Sequence, residues 1–139
     1  MDFLARREHS RWELRHKLAA AGATGDLADE TLDALEEEDL LSDSRFVESF
    51  VAARARKGQG PVRIYQELER RGVNEALIED GIDEADIDWY DLAAEVRAKK
   101  FGDSVPPDFP SRAKQMRFLE YRGFDSDQIQ AAIRGGATA

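Results

Sequence analysis

The stretch LERRGVN, residues 68–74, decides the fold because the chain repeats it. It returns as LEYRGFD at residues 119–125 and, in an eroded form, as LAAAGAT at residues 18–24. The central glycines of the three copies lie 50 and then 51 residues apart. A fixed period of this size is typical of helical repeats. The sequence therefore predicts one structural unit used three times.

Each copy reads as the end of one helix and the beginning of the next. A helix-starting residue stands twelve positions before each glycine: Ser10, Gly60 (followed by Pro61) and Ser111. Ser10 and Glu13 predict a capping box, and proline suits the first helical position. The glycines, at 22, 72 and 123, can take the left-handed conformation that ends a helix. The residues two positions later are N-cap types for a following helix: Thr24, Asn74 and Asp125.

Apolar residues at helical spacing give each of these helices a face to bury. The helices before the glycines carry Leu14, Leu18, Ile64, Leu68, Met116 and Leu119. The helices after them carry Leu27, Leu32, Leu35, Leu77, Ile78, Ile82, Ile129 and Ile133. Because Ala, Leu, Glu and Arg are abundant and few β-branched runs occur, we expect an all-α protein.

A further helix precedes each copy. Residues 42–58, SDSRFVESFVAARARKG, place Phe46, Phe50, Val47 and Val51 in pairs one turn apart. Residues 88–102, DWYDLAAEVRAKKFG, place Trp89, Leu92 and Val96 in the same way. Only FLARRE, residues 3–8, stands ahead of the first copy, so its first helix should be short or frayed. GDSVPPDFP, residues 102–110, reads as an extended surface loop. The prediction is three tandem three-helix repeats, at residues 1–41, 42–86 and 87–139.

Charge is divided between the helices of a repeat. The chain carries a formal net charge of −9, yet the helices that end at the glycines are all net positive. Residues 26–39 and 74–91, by contrast, each contain eight acidic residues and no basic one. If equivalent helices align along a solenoid, the basic helices form one stripe and the acidic helices another. The C-terminal ends of the first helices would add to the basic side. They carry Arg54, Arg56 and Lys57 in ARARKGQGP (residues 53–61), with Arg63 just beyond, and Arg97, Lys99 and Lys100 in VRAKKFG (residues 96–102).

No pattern for catalysis or metal binding stands out. The chain has no cysteine, which excludes disulfides, thiolate nucleophiles and Cys-based zinc sites. His9 and His16 are separated by the predicted cap at Ser10, so we expect both to be solvated or at the edge of the core. The acidic runs lack the apolar surroundings that acid–base chemistry needs. Most aromatic residues have helical spacing and should pack; Tyr65 and Tyr121, flanked by basic residues, are the exceptions. We expect neither an enzyme nor a cofactor.

Four segments, in this order and spacing, resemble the RecX family of bacterial recombination regulators. They are LARREHSRWELRHKL (residues 4–18), LEEEDLLSDSRFVESFV (35–51), ARKGQGPVRIYQELERRGV (55–73) and MRFLEYRGFDSDQI (116–129). The resemblance implies an elongated, curved array of three-helix repeats that binds the RecA filament on single-stranded DNA within its groove. It also implies regulation of homologous recombination and the SOS response: the regulator would block filament extension or favour disassembly, and so lower ATP hydrolysis and strand exchange, without catalysis of its own.

The resemblance also implies which basic positions meet the filament. They are Arg6, Arg7, Arg11, Arg54, Arg56, Lys57, Arg63, Arg70, Arg71, Lys99, Lys100, Lys114, Arg117 and Arg122. The negative net charge leads us to expect weak binding to free DNA and much stronger binding to the filament. We expect a cytoplasmic protein, since no apolar run could span a membrane and MDFLARRE lacks the apolar core of a secretory signal. We also expect it to be a monomer.

Two other functions fit parts of the pattern. A cap, a short glycine turn and a second helix could form a helix-turn-helix that binds DNA directly. Its recognition helix would then be acidic in the first two repeats. A generic helical-repeat scaffold for an unrelated protein partner is the second alternative.

Overall fold

A computed structural model describes residues 7–134 and shows an all-α chain; this part contains no strand. Its helices are α1 (Arg11–Ala20), α2 (Gly25–Glu37), α3 (Asp43–Arg56), α4 (Pro61–Arg70), α5 (Glu75–Glu84), α6 (Trp89–Phe101), α7 (Phe109–Arg122) and α8 (Ser126–Ile133). The helix predicted within residues 3–8 lies largely outside the described residues. None of the described helices is long and apolar enough to cross a membrane.

Most predicted helix ends are confirmed. Ser10 and Glu13 form the capping box of α1, and Pro61 opens α4 behind Gly60. Asp125 forms a second capping box with Gln128 at the start of α8. The glycines of the repeated stretch, Gly22, Gly72 and Gly123, have φ of +96°, +72° and +98°, the left-handed region in which glycine is favoured.

The start of α7 was predicted wrongly. The helix begins at Phe109 rather than at Ser111, because the Asp108 carboxylate accepts a hydrogen bond from the Ser111 backbone N–H at 2.8 Å. Asp108 is thus the N-cap, and Pro110 falls in the first turn, where its missing N–H costs no hydrogen bond. The preceding loop is correspondingly shorter than expected.

Each repeat buries its own small core. The first core contains Leu14, Leu32, Leu35 and Leu41; the second contains Phe46, Val47, Val51, Ile64, Leu68, Val73 and Ile78; the third contains Ala93, Leu119, Phe124, Ile129, Ala132 and Ile133. In the second and third repeats the last helix packs against both of the others. Leu27 was wrongly assigned to the first core: it is 60% exposed, and Ala28 takes the buried position.

Successive repeats are joined through the ends of their middle helices. The N-terminus of α4 meets the C-terminus of α7, where the Gly60 N–H donates to the Arg122 carbonyl at 2.8 Å and the Val62 N–H donates to the Gly123 carbonyl at 2.9 Å. At the preceding junction the Ser10 hydroxyl donates to the Arg71 carbonyl at 3.1 Å. The N-terminal end of one middle helix therefore docks on the C-terminal end of the next.

The glycine of the repeated stretch has a second role at these junctions. A Cβ built on Gly72 would lie 2.5 Å from the Trp12 ring, and one built on Gly123 would lie 2.2 Å from the Cβ of Arg63. A Cβ on Gly22, which has no described repeat docked against it, would meet nothing within 4 Å. The second and third glycines therefore permit both the helix end and the close approach of the previous repeat.

His9 is buried at the first junction, contrary to the predicted solvated or core-edge position. Its exposed fraction is 1%, its Nδ1 lies 3.1 Å from the Arg7 carbonyl oxygen, and its Nε2 lies 2.7 Å from Lys17 Nζ. An ammonium group only donates, so Nε2 accepts and the ring proton sits on Nδ1. Burial lowers the pKa of His9, and the nearby charges of Arg7 and Lys17 lower it further, opposed in part by Glu13.

Removal of His9 should flatten the response of stability to mild acid. The unfolded chain binds a proton at His9 as the pH falls through its ordinary pKa of 6.5, whereas the folded chain does so only at a lower pH. The free energy of unfolding should therefore decrease between about pH 7 and pH 5. In His9→Gln this decrease should be smaller, as measured by urea unfolding across that range. His16→Gln, at an exposed position on α1, is the control; an unchanged slope in His9→Gln would contradict the assignment.

Candidate partner-binding surface

The first part of the site is a groove at the junction of the first two repeats, called here the first basic groove. Its cavity of ≈ 500 Å³ is lined by five basic side chains and by two acidic ones. The basic residues are Arg7, Arg54, Arg56, Lys57 and Arg71; the acidic residues are Glu8 and Glu13. They come from the segment before α1, from α1, from the C-terminal end of α3 and from the end of α4.

Aromatic packing and ion pairs hold two of these arginines in place. The guanidinium carbons of Arg54 and Arg71 lie 4.5 Å and 5.0 Å from the centroid of the Phe50 ring. Arg54 also pairs with Glu67 at 3.2 Å, and Arg71 pairs with Glu13 at 3.4 Å. Because part of their charge is already neutralised, these two side chains shape the groove more than they supply its field.

The second basic groove lies between the C-terminal ends of α3 and α6 and the end of α7. Its cavity of ≈ 800 Å³ is lined by Arg56, Lys57, Lys99, Lys100 and Arg122, with Glu95 as the acidic residue. The floor contains Phe118, whose ring lies 5.5 Å from Lys100 Nζ and 5.2 Å from the guanidinium carbon of Arg122. Arg122 also donates to the Lys57 carbonyl at 3.0 Å, which ties α7 to the end of α3.

Arg56 and Lys57 line both grooves and join them into one basic surface that runs across the three repeats. Both residues are exposed at the C-terminal end of α3. Neither side chain forms an ion pair with another residue of the described part. Their charges are therefore available to an anionic group of a partner.

The middle helix α1 does not contribute its arginines to the predicted basic stripe, because ion pairs within the first repeat neutralise them. In α1, Arg11 pairs with Asp33 at 2.9 Å and with Glu36, and Arg15 pairs with Asp29. Arg11 therefore links α1 to the acidic helix α2 and lies outside both basic grooves. The surface arises mainly from the C-terminal ends of the first helices, which the sequence had also indicated and which lie beside the ends of the middle helices.

Other predicted contact residues lie elsewhere. Arg63 and Arg70 line a separate cavity beside Tyr121, where Arg63 pairs with Glu67 at 3.1 Å. Lys114 and Arg117 are exposed on α7 and line neither groove. Arg6 lies outside the described residues. Eight of the fourteen predicted positions thus come together: Arg7, Arg54, Arg56, Lys57, Arg71, Lys99, Lys100 and Arg122.

Arg97 was wrongly placed on the basic surface. It is 2% exposed, and its Nε donates to the Gln115 side-chain oxygen at 2.8 Å while its guanidinium also donates to the Ser104 carbonyl. Gln115 lies one turn before Leu119, and the equivalent position in the second repeat, one turn before Leu68, is Ile64. A polar pair therefore replaces an apolar contact and anchors the loop before α7.

Phe50 and Phe118 pack against the second and third cores, as the helical spacing predicts, and each also lines one of the basic grooves. Tyr65 does not belong there, because it lines a separate cavity whose charged residues, Glu69, Glu79, Asp83 and Asp125, are all acidic. Burial raises the pKa of its hydroxyl, and the carboxylates of Glu75, Glu79 and Glu69 raise it further. Tyr121 is 73% exposed, with the Arg63 guanidinium carbon 5.3 Å from its ring centroid. Basic neighbours in the sequence therefore predicted a basic environment correctly for Tyr121, whereas the environment of Tyr65 is acidic.

The chemistry of the surface is suited to binding an anionic partner. It presents cationic side chains over aromatic rings, which can pair with carboxylates or phosphates. Within residues 7–134, no group of three or more His, Cys, Asp or Glu side chains could hold a metal ion.

Comparisons with known proteins agree with this architecture. Family models for the first, second and third three-helix domains of RecX match residues 1–35, 42–82 and 86–133. The chain is 50% identical to the regulatory protein RecX of Pseudomonas savastanoi pv. phaseolicola over 135 residues, which cover 97% of this chain and 87% of that protein. It is 47% identical to the regulatory protein RecX of Halorhodospira halophila over 132 residues, covering 95% of this chain and 82% of the relative.

Solved structures share the fold at lower identity. The crystal structure of RecX from Lactobacillus salivarius superimposes with a TM-score of 0.78 at 21% identity, covering 96% of this chain and 88% of that one. A second crystal structure of a regulatory protein RecX gives a TM-score of 0.80 at 21% identity, covering 96% of this chain and 66% of that one. With three matched domains and relatives of up to 50% identity over most of its length, the chain belongs to the RecX family of regulatory proteins.

Proposed function

We propose that this chain regulates RecA by binding, as a monomer, in the groove of the RecA filament on single-stranded DNA. Bound there, it blocks filament extension and so lowers ATP hydrolysis and strand exchange. The observation that carries the proposal is the basic surface formed by two grooves that meet at Arg56 and Lys57. Because all three repeats contribute to it, one molecule can contact neighbouring subunits of a repeating partner.

The filament is a better partner for this surface than free DNA. The chain carries a net charge of −9, so its long-range field repels a bare polyanion even though the grooves are locally basic. A filament offers protein contacts as well as charge, and these can offset the repulsion. We therefore propose weak binding to free single-stranded DNA and much tighter binding to the filament.

The remaining parts of the proposal concern mechanism and organisation. Regulation is steric and electrostatic, with no catalysis by this chain, and it takes place in the cytoplasm. The functional units are the repeats at residues 1–41, 42–86 and 87–139. Direct helix-turn-helix binding to DNA is disfavoured because α2 and α5, the helices after the glycine turns, carry exposed carboxylates and no basic residue.

The proposal is tested by the rate of single-stranded-DNA-dependent ATP hydrolysis by RecA from the same organism. This chain is titrated from far below to above the RecA concentration. Inhibition at strongly sub-stoichiometric ratios is expected, because each bound molecule stops the growth of a whole filament. An unchanged rate up to equimolar protein, with folding verified by circular dichroism, would refute the proposed function and favour an unrelated protein partner.

A further inference from the structure

A third groove continues from the basic surface but has the opposite charge. It lies between α3, α5 and the start of α6, encloses ≈ 740 Å³, and shares Ala55, Arg56 and Leu92 with the second basic groove. Its charged lining, apart from Arg56, consists of Glu48, Asp80 and Glu84. Arg56 thus stands at the boundary between a basic and an acidic part of one continuous depression.

The floor of this third groove is apolar. It contains Leu77, Ala85, Ile87 and Leu92. Gly81 lets α5 lie directly against α3, since a Cβ at this position would be 2.2 Å from Cγ1 of Val47. Asp80 and Glu84 flank this contact on α5, and Glu48 faces them from α3. The close approach of the two helices therefore places three carboxylates around an apolar floor.

The three carboxylates are exposed, and none of them forms an ion pair with another residue of the described part. A phosphate backbone would be repelled from this groove, whereas the two basic grooves attract it. A Lys or Arg side chain next to an apolar side chain would match both the rim and the floor. The chemistry of the groove selects polypeptide over nucleic acid.

We propose that the third groove docks a basic segment of the filament's protein component, one that carries Lys or Arg beside an apolar side chain. This inference rests on the proposed function and deepens it. The partner would be recognised by two adjoining regions of opposite charge, which fix its orientation at Arg56. Nucleic acid alone, having one sign of charge, could not satisfy both regions, so the third groove discriminates the filament from free DNA.

The test compares two triple variants with the same change in net charge. The site variant is Glu48→Lys, Asp80→Lys and Glu84→Lys; the control variant is Glu30→Lys, Glu37→Lys and Glu38→Lys, all at exposed positions outside the three grooves. Each labelled protein is titrated with RecA filaments held on single-stranded DNA by a non-hydrolysable ATP analogue. Binding to a free single-stranded oligonucleotide is measured in parallel, and circular dichroism verifies folding.

Opposite effects on the two partners are expected for the site variant. Its affinity for the filament should fall about 30-fold or more, while its affinity for the free oligonucleotide should rise because negative charge has been removed. The control variant should gain affinity for the oligonucleotide to a similar extent and keep its filament affinity within about threefold. Equal filament affinities of the two variants would overturn the inference. The three carboxylates of the third groove would then affect filament binding only through the net charge of the protein.

Two further outcomes separate the inference from the proposed function. If the wild-type and site variant both bind the filament tightly, the inference fails and the proposed function stands. If the wild-type chain does not bind the filament, the proposed function fails and the inference fails with it. A wild-type dimer in sedimentation equilibrium that is lost in the site variant would assign the groove to a second copy of this chain, which also overturns the inference.

Discussion

Reversal of three charges on the basic surface, Arg56→Glu, Lys57→Glu and Lys100→Glu, is expected to weaken binding to the RecA filament about 100-fold. These side chains are exposed, so their replacement should leave the three cores intact. Each reversal converts an attraction into a repulsion, worth roughly 1 kcal/mol at a solvated surface. Three such changes give about 3 kcal/mol, which corresponds to a factor of about 100 in affinity. Inhibition of RecA ATP hydrolysis should require correspondingly more protein.

The matched comparison is the triple variant Arg112→Glu, Lys114→Glu and Arg117→Glu on α7. It makes the same change in net charge at exposed positions outside both basic grooves. Filament affinity is measured for both variants at two salt concentrations, because long-range effects of net charge are screened while contacts within a groove are screened less. Equal losses in the two variants at both salt concentrations would contradict a specific role for the basic grooves.

The local parts of the fold could be predicted from the sequence because they depend on a few neighbouring residues. The capping box of Ser10 and Glu13, the proline at the start of α4 and the glycine that ends α7 all act within one turn of the chain. Asp108 was missed since Ser111 fitted the twelve-residue spacing of the other two copies. The Asp108 side chain, which caps three residues ahead, decided the boundary instead.

The contacts of the repeated stretch with the previous repeat could not be predicted, because they join residues 58 to 65 positions apart. Nothing in the stretch LERRGVN indicates that the Trp12 ring occupies the space where a Cβ of residue 72 would lie. The same applies to Gly60, where a Cβ would lie 2.4 Å from the Gly123 carbonyl oxygen. The spacing of the glycines predicted that the units repeat, and only the structure shows how one unit packs against the next.

The charge pattern predicted a basic surface and included the ends of the first helices, but it also assigned α1, which does not contribute its arginines. A count of charges in each helix does not show that carboxylates of α2 form the ion pairs of Arg11 and Arg15. It also cannot tell that Arg97 is buried against Gln115 while its neighbour Lys100 is exposed. Position around α6 does not separate the last two residues, because Arg97 follows the buried Ala93 by four positions and Lys100 follows it by seven, which places both on the same face. What separates them is tertiary: Gln115 and the Ser104 carbonyl cover Arg97.

Replacement of Gly123 by alanine is expected to destabilise the protein by about 4 kcal/mol. The residue has φ of +98°, a conformation that costs an alanine about 1–2 kcal/mol. Its Cβ would lie 2.2 Å from the Cβ of Arg63 and 2.8 Å from the Arg63 backbone N, so α4 must move away. Such overpacking costs about 1–3 kcal/mol. The displacement also strains the hydrogen bond from the Val62 N–H to the Gly123 carbonyl, worth about 1 kcal/mol.

Gly22→Ala separates the cost of the backbone conformation from the cost of the junction. Gly22 has nearly the same φ, +96°, and a Cβ there would meet nothing within 4 Å. Its substitution should therefore cost only about 1–2 kcal/mol, the penalty of a left-handed alanine. The free energies of unfolding come from urea titrations followed by circular dichroism. Equal losses in the two variants would mean that the junction between the second and third repeats tolerates a Cβ, and that Gly123 serves only to end α7.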